Sequence, residues 1–163
     1  MNSKPKVKIT FDQFFEAVSA DNKFFVNQLH EYLLENGCKV TVEEKKSGFL
    51  ASYKYGKPPK AVMNFVFRKD GMITRIYGEG ISGYPDFLNT LPHKMIQHIQ
   101  GAGVCNRIVN NTCSPKCNGY DFEIAGVRYQ KCRYNCFEFL MTEESKPYII
   151  TFVQHELAGR MVK

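Results

Sequence analysis

Long apolar runs are missing from this sequence, and that absence sets a first limit on what the chain can be. No stretch approaches the roughly 18–20 consecutive apolar residues that a membrane-spanning helix needs, so no span is expected. The first residues, Met1-Asn2-Ser3-Lys4-Pro5-Lys6-Val7-Lys8, are basic but have no apolar segment behind them. No secretory signal is expected there, and a cytoplasmic address follows as the expectation. Without secretion the sequon Asn110-Asn111-Thr112 carries no meaning.

Catalytic signatures are missing too. The Gly-x-Ser-x-Gly nucleophile elbow does not occur, and His155-Glu156 lacks the second histidine of a zincin helix. Gly78-Glu79-Gly80-Ile81-Ser82-Gly83 holds three glycines in neither the Walker nor the dinucleotide spacing, and so reads as a plain connector. His93 and His98 stand five apart, the wrong interval to share one helix face as ligands. Asp86, Asp121, Glu123 and Glu138 show no spacing that pairs them as acid and base.

Charge is present but not concentrated. The net charge is +6, from 22 basic and 16 acidic residues. Short basic clusters at Lys4/Lys6/Lys8, Lys45/Lys46, Lys54/Lys57/Lys60 and Arg128/Lys131/Arg133 alternate with acidic residues, a pattern that suits a solvated surface better than a nucleic-acid footprint. A chain of 163 residues, 44% apolar, is long enough to bury its own core, and no linker divides it. One domain over 1–163 is expected.

What is there first is a change of hydrophobic period. Thr10 and Gln13 have capping-box spacing ahead of Phe11, Phe14, Phe15 and Val18, which predicts a helix over 11–19. Asp21 and Asn22 are candidate caps for a second helix with the stripe Phe25, Leu29, Tyr32 and Leu33, ended by Gly37. From Cys38 onward the period falls to two. Cys38, Val40 and Val42, then Phe49, Ala51, Tyr53 and Tyr55, predict half-buried strands. Residues 61–67 are apolar on both faces except Asn64, as a central strand would be, and Asp70-Gly71 turns the chain into a fourth strand over 72–77. Pro92 heads a helix with Met95, Ile96 and Ile99 inside.

The second half repeats this plan loosely. Residues 120–124 and 127–130 form a hairpin around Ala125-Gly126, a strand follows over 134–141, and Pro147 heads a last helix. Segments 61–101 and 119–158 thus share an order of elements without sharing residues. The fold expected is α+β, an antiparallel meander with helices packed on one face and a cysteine-rich segment near the C-terminal half.

That segment is the main chemical feature. Cys113-Ser-Pro-Lys-Cys117 and Cys132-Arg-Tyr-Asn-Cys136 are matched pairs, C-x3-C-x14-C-x3-C, with Cys105 eight residues ahead. Zinc takes four soft ligands in a tetrahedron with sulfur at about 2.3 Å, and two short-range pairs flanking a hairpin can supply them. Four thiolates around a divalent cation leave two negative charges, and Lys116, Lys131 and Arg133 are their sequence neighbours. In a regular strand, i and i+4 lie over about 12 Å apart. The 132/136 pair therefore needs a turn near Tyr134-Asn135; failing that, only one of the two joins the site and Cys105 is the substitute. Two other readings stand beside zinc: reduced thiols facing the core, and redox or catalytic use, since basic neighbours raise the thiolate fraction. C-x3-C is not the redox C-x-x-C spacing.

The stretches Asn64-Phe65-Val66-Phe67-Arg68-Lys69-Asp70-Gly71, Arg75-Ile76-Tyr77, Gly119-Tyr120-Asp121-Phe122 and Lys131-Cys132-Arg133-Tyr134 resemble a functionally uncharacterised family of small bacterial proteins. That likeness spans most of the chain and implies no activity. Ser52-Tyr53-Lys54-Tyr55-Gly56-Lys57-Pro58 before a hairpin, and 137–157 as strand, Pro and helix, are similar at fold level to frataxin-like domains of the iron-chaperone type. The chain has no acidic helix ridge, so an iron role is not carried over.

The functional expectation is a non-enzymatic binding module with a cysteine-ligated structural zinc ordering residues 105–136. Its ligands are Cys113, Cys117, Cys132 and Cys136, with Cys105 as substitute. A ligand pocket between sheet and helices is expected where Tyr53, Tyr55, Arg68, Arg75 and Tyr77 converge, suited to an anionic small molecule or peptide. A thiol-dependent redox or catalytic protein and a nucleic-acid-binding protein are the alternatives.

Overall fold

Thr10 starts the first helix, α1 (Phe11–Ala17). Its hydroxyl accepts from the Gln13 amide at 3.3 Å, and the Gln13 side chain accepts from the Thr10 amide at 2.9 Å. Two otherwise orphaned amides are satisfied reciprocally. This computed structural model describes Pro5 and residues 7–162, so Lys4 and Lys6 of the first basic cluster lie outside the described residues.

Helix α2 (Ala20–Glu35) begins two residues earlier than a cap at Asp21 predicts. Ser19 is its N-cap, without a side-chain cap, and Asp21 falls in the first turn, where a carboxylate faces the positive helix end. Gly37 does end it. At φ 88° it lets the Cys38 amide reach the Leu33 carbonyl at 2.9 Å and its own amide reach Leu34 at 3.1 Å, a Schellman closure.

Four strands then run as an antiparallel meander: β1 (Lys39–Lys45), β2 (Gly48–Tyr55), β3 (Lys60–Arg68) and β4 (Gly71–Ile76). A short strand, β7 (Glu138–Leu140), returns much later to pair antiparallel with β4, giving the order β1-β2-β3-β4-β7. Strand alternation divides this sheet into two faces. Val42, Ala51, Phe65, Thr74 and Phe139 are consecutive register partners across it, as are Val40, Tyr53, Met63 and Ile76. Phe14, Phe25, Leu29 and Leu33 of α1 and α2 belong to the same buried cluster as that face. So do Ile149, Phe152, Val153 and Leu157 of the last helix, α6 (Lys146–Met161). Each large side chain buried there contributes about 2 kcal/mol. Helices α1, α2 and α6 pack on this face, in an α+β architecture.

One charge sits in that core. Glu156 of α6 is 1% exposed. Its carboxylate accepts from the Gly80 amide at 3.1 Å, the Tyr84 hydroxyl at 2.6 Å and Arg160 Nε at 3.2 Å. Arg160 in turn donates to the carbonyls of Ala61 and Tyr77, so no part of the pair is left bare.

The chain between β4 and α6 holds more helix than its composition suggests. A 3-10 turn (Ile81–Gly83) and α3 (Pro85–Leu88) occupy the glycine-rich connector, followed by α4 (His93–Gly101), with Met95 and Ile99 buried as expected. A one-turn helix, α5 (Asn106–Asn110), appears inside what reads as loop. The hairpin β5 (Tyr120–Ile124) and β6 (Val127–Lys131) forms a separate two-stranded sheet. Ala125 and Gly126 both have positive φ, the requirement of a type I′ turn. The strand predicted over 134–141 is cut to three residues because 132–137 is a turn, closed by the Cys136 amide on the Cys132 carbonyl at 3.1 Å. Among the described residues no helix is long and apolar enough to cross a membrane.

Candidate functional site

Backbone hydrogen bonds build a platform from two distant segments. The Cys105 amide donates to the Gln130 carbonyl at 2.9 Å, and the Cys132 amide donates to the Gly103 carbonyl at 2.9 Å. Val104 and Lys131 are bridge partners between them. Cys105 and Cys132 therefore sit on neighbouring extended segments. Lys131 fixes the arrangement by donating Nζ to the Gln100 and Ala102 carbonyls at 2.9 and 2.8 Å, which also accounts for a buried lysine.

The 111–119 segment returns over this platform. Cys117 closes a tight turn onto Ser114, amide to carbonyl at 3.0 Å, and Gly119 then lies against the Cys105 side chain. A Cβ on Gly119 would overlap the Cys105 sulfur and crowd Ile108 Cδ1 at 3.2 Å, so only glycine permits this approach. Burial first, and then the nearby thiols of Cys113, Cys105 and Cys132, hold the Cys117 thiol above the ordinary cysteine value. A thiolate at Cys117 would face three sulfurs at once. That direction works against a reactive, low-pKa thiol.

Cys136 belongs to a different environment. It is fully buried within the apolar cluster that includes Phe137 and Phe139, and burial pushes its thiol well above the usual range, with Lys131 pulling weakly the other way. The turn that a 132/136 pair needs is present, but its second cysteine faces the core. Cys38 is likewise a core thiol, raised by burial to about 11. All six cysteines are free. Among the described residues, no group of three or more His, Cys, Asp or Glu side chains is set to hold a metal ion.

Of the basic residues beside the cysteines, Arg133 turns away from the sulfurs. It pairs with Glu79 at 2.7 Å and lies over the Tyr77 ring at 5.4 Å, with Nε buried and unpartnered. Lys116 is exposed and Lys131 is committed to the carbonyls already described.

The predicted tyrosine and arginine pocket does not form as one site. Tyr53 and Tyr55 sit on the helix-covered side: Tyr53 is fully buried and bonds His30 Nδ1 at 2.7 Å, and Tyr55 packs on Gly37. Arg68, Arg75 and Tyr77 belong to the opposite face, where Arg75 pairs with Glu138 and Tyr77 accepts from Asn64 Nδ2 at 3.3 Å. Strand alternation separates the two sets, since Tyr53 is in register with Met63 and Ile76 whereas Arg75 is in register with Asn64 and Ser52. Sequence reasoning missed the roles of Gly119 and Glu156, which carry no local motif. A strand register, had it been written out, would have divided the pocket.

Comparison with family models, with curated proteins and with solved structures finds no match to this chain, so neither the bacterial-family nor the frataxin-like resemblance finds support there.

Proposed function

We propose that residues 105–136 form a structural zinc site in a binding module, held by Cys105, Cys113, Cys117 and Cys132. The observation that carries this reading is the backbone pairing that sets Cys105 and Cys132 on neighbouring segments, with the 111–119 segment folded back so that Gly119 lies on the Cys105 side chain, while Cys136 faces the core. Crowded thiols resist losing protons, and a divalent cation reverses that cost by neutralising the thiolates it binds. The ligand spacing becomes C-x7-C-x3-C-x14-C. Two ligands stand on the hydrogen-bonded 103–105 and 130–132 segments and two come from the 111–119 segment, the division that lets one ion tie a loop to a platform. Drawing four sulfurs to about 2.3 Å requires that loop to settle further onto Cys105 and Cys132, so metal binding and loop order are one event.

Native mass spectrometry of freshly purified protein, with thiol counting before and after chelation, tests the assignment. One zinc per chain with four protected thiols is expected. Cys105→Ser and Cys132→Ser should lose the metal, and Cys136→Ala should keep it. Metal retained in Cys105→Ser but lost in Cys136→Ala would return the site to the two matched pairs, and a chain purified without metal would end the reading.

A further inference from the structure

The outer edge of β7 carries backbone groups that the fold leaves unused. The Met141 amide donates to the Met72 carbonyl at 2.9 Å, and the Ile76 amide donates to the Phe137 carbonyl at 3.0 Å. Alternate residues of an antiparallel strand turn their backbone groups to opposite sides. Phe137, Phe139 and Met141 therefore serve β4, and Glu138 and Leu140 direct their amides and carbonyls outward. No strand lies on that side, since β7 is the last of its sheet. The Leu140 carbonyl accepts from Ser145 Oγ at 2.6 Å. Among the described residues, the Glu138 amide and carbonyl and the Leu140 amide have no protein partner.

A cleft of about 290 Å3 runs beside this edge, between β7 and α4. Met95 and Phe139 form its buried floor, and the His98 ring stands over Phe139 at 5.8 Å. The rims are exposed: Lys94 and His98, one helical turn apart on α4, face Leu140 and Glu144 across the opening. Neither Lys94 nor Glu144 has an ion-pair partner among the described residues.

We propose that this cleft takes the C-terminal end of a partner protein as an added strand. Its last residues run along β7, one apolar side chain rests on Met95 and Phe139, and the terminal carboxylate meets Lys94. Unpaired strand-edge amides and carbonyls match an extended peptide backbone, as in other strand-addition sites. Lys94 matches one anionic group, and Glu144 across the cleft disfavours a run of acids. β7 has three residues, about 10 Å of edge, enough for a chain end and too little for a long strand. The end of a chain supplies both an extended backbone and a single carboxylate. The cleft shares no side chain with the cysteines, so failure here leaves the zinc assignment standing.

A peptide array probed with the labelled full chain tests this. Each peptide has a Gly/Ser leader and three randomised last residues, with a free carboxylate in one set and a C-terminal amide in the other. Free acids with an apolar side chain among the last three residues should be enriched. The best of them should bind at least tenfold tighter than its amide by fluorescence anisotropy. Lys94→Ala should weaken the acid at least fivefold and bring it level with the amide. Leu140→Pro removes an outward amide at an edge position, where proline is tolerated. It should weaken both forms at least fivefold with little change in melting temperature. Independently of that variant, saturating peptide should slow hydrogen exchange at the Glu138 and Leu140 amides of the parent at least tenfold. No enrichment of free acids, no slowing at those two amides, or a concentration-dependent dimer that Leu140→Pro abolishes would each overturn the proposal, the last by assigning the edge to a second copy of the chain.

Discussion

The five-stranded sheet and the 106–119 segment solve the problem of order in opposite ways. The sheet and its helices bury Phe14, Phe65, Phe137, Phe152 and Tyr53 completely, and rings stack directly between layers, as Phe14 does on Phe65 at 6.0 Å. The cysteine segment has one five-residue helix, no buried residue from 106 to 119, and a run of exposed residues from 109 to 116. Its fixed points are the backbone bridge to Lys131 and the contact of Gly119 with Cys105. Apolar area holds the first region. The second has too little to offset the chain entropy of ordering it, and on the proposed reading its sulfurs, gathered on one ion, do so.

The sharpest contrast comes from removing one ring from the sheet. Phe65→Ala should cost about 3–5 kcal/mol, since the side chain is fully buried and packs against Phe14 and Tyr53. Urea denaturation would read this as a lower midpoint for the whole chain. Gly119→Ala should act on the other region. It forces the new Cβ into Cys105 and should cost about 1–3 kcal/mol through overpacking. Hydrogen exchange should show the loss confined to 103–137, with zinc content reduced and β2 and β3 unaffected. Equal deprotection of the sheet would mean that the two regions are one cooperative unit.

Smaller effects sharpen the sheet side alone. Thr10→Ala removes a reciprocal cap at the start of α1 and should cost about 1 kcal/mol, seen as a lower melting temperature with metal content unchanged. His30 should give the smallest response, one of pH. Its ring stacks on Phe11 at 3.5 Å and bonds Tyr53, and burial holds its pKa below the ordinary 6.5. The neutral form is thus favoured in the folded chain. Its contribution is full above pH 6.5 and is lost as pH falls through the lowered folded value. Melting temperature should drop on acidification over that range, and His30→Gln should flatten the drop.

Local chemistry made much of the fold readable in advance. The Thr10/Gln13 box, Gly37 and the alternation of Phe49, Ala51 and Tyr53 each act over a few residues, and the structure keeps them; the hairpin expected at Asp70-Gly71 turns one residue earlier, on Lys69-Asp70, with Gly71 paired to Arg68 in β4. The fifth strand was overextended because Tyr134 and Asn135 fit a strand by type while the Cys136-to-Cys132 hydrogen bond bends them into a turn. The site was legible as a set of sulfurs but not as a partition. Which cysteine faces the core depends on how a turn of six residues is aimed, and the sequence holds no periodic signal over so short a span. Arg75 and Tyr53 were grouped by composition, although their neighbouring strands send them to opposite sides.

Glu156 has a consequence for how the molecule opens. One carboxylate holds the Gly80 amide, the Tyr84 hydroxyl and Arg160, and Arg160 reaches the backbone where β3 begins and just past the end of β4. The connector after β4 cannot lift away while the final turn of the last helix stays seated, nor can that turn fray alone. The two act as a single latch, so the Gly80 proton should exchange with solvent in step with the amides around Arg160, although they lie at distant points of the chain.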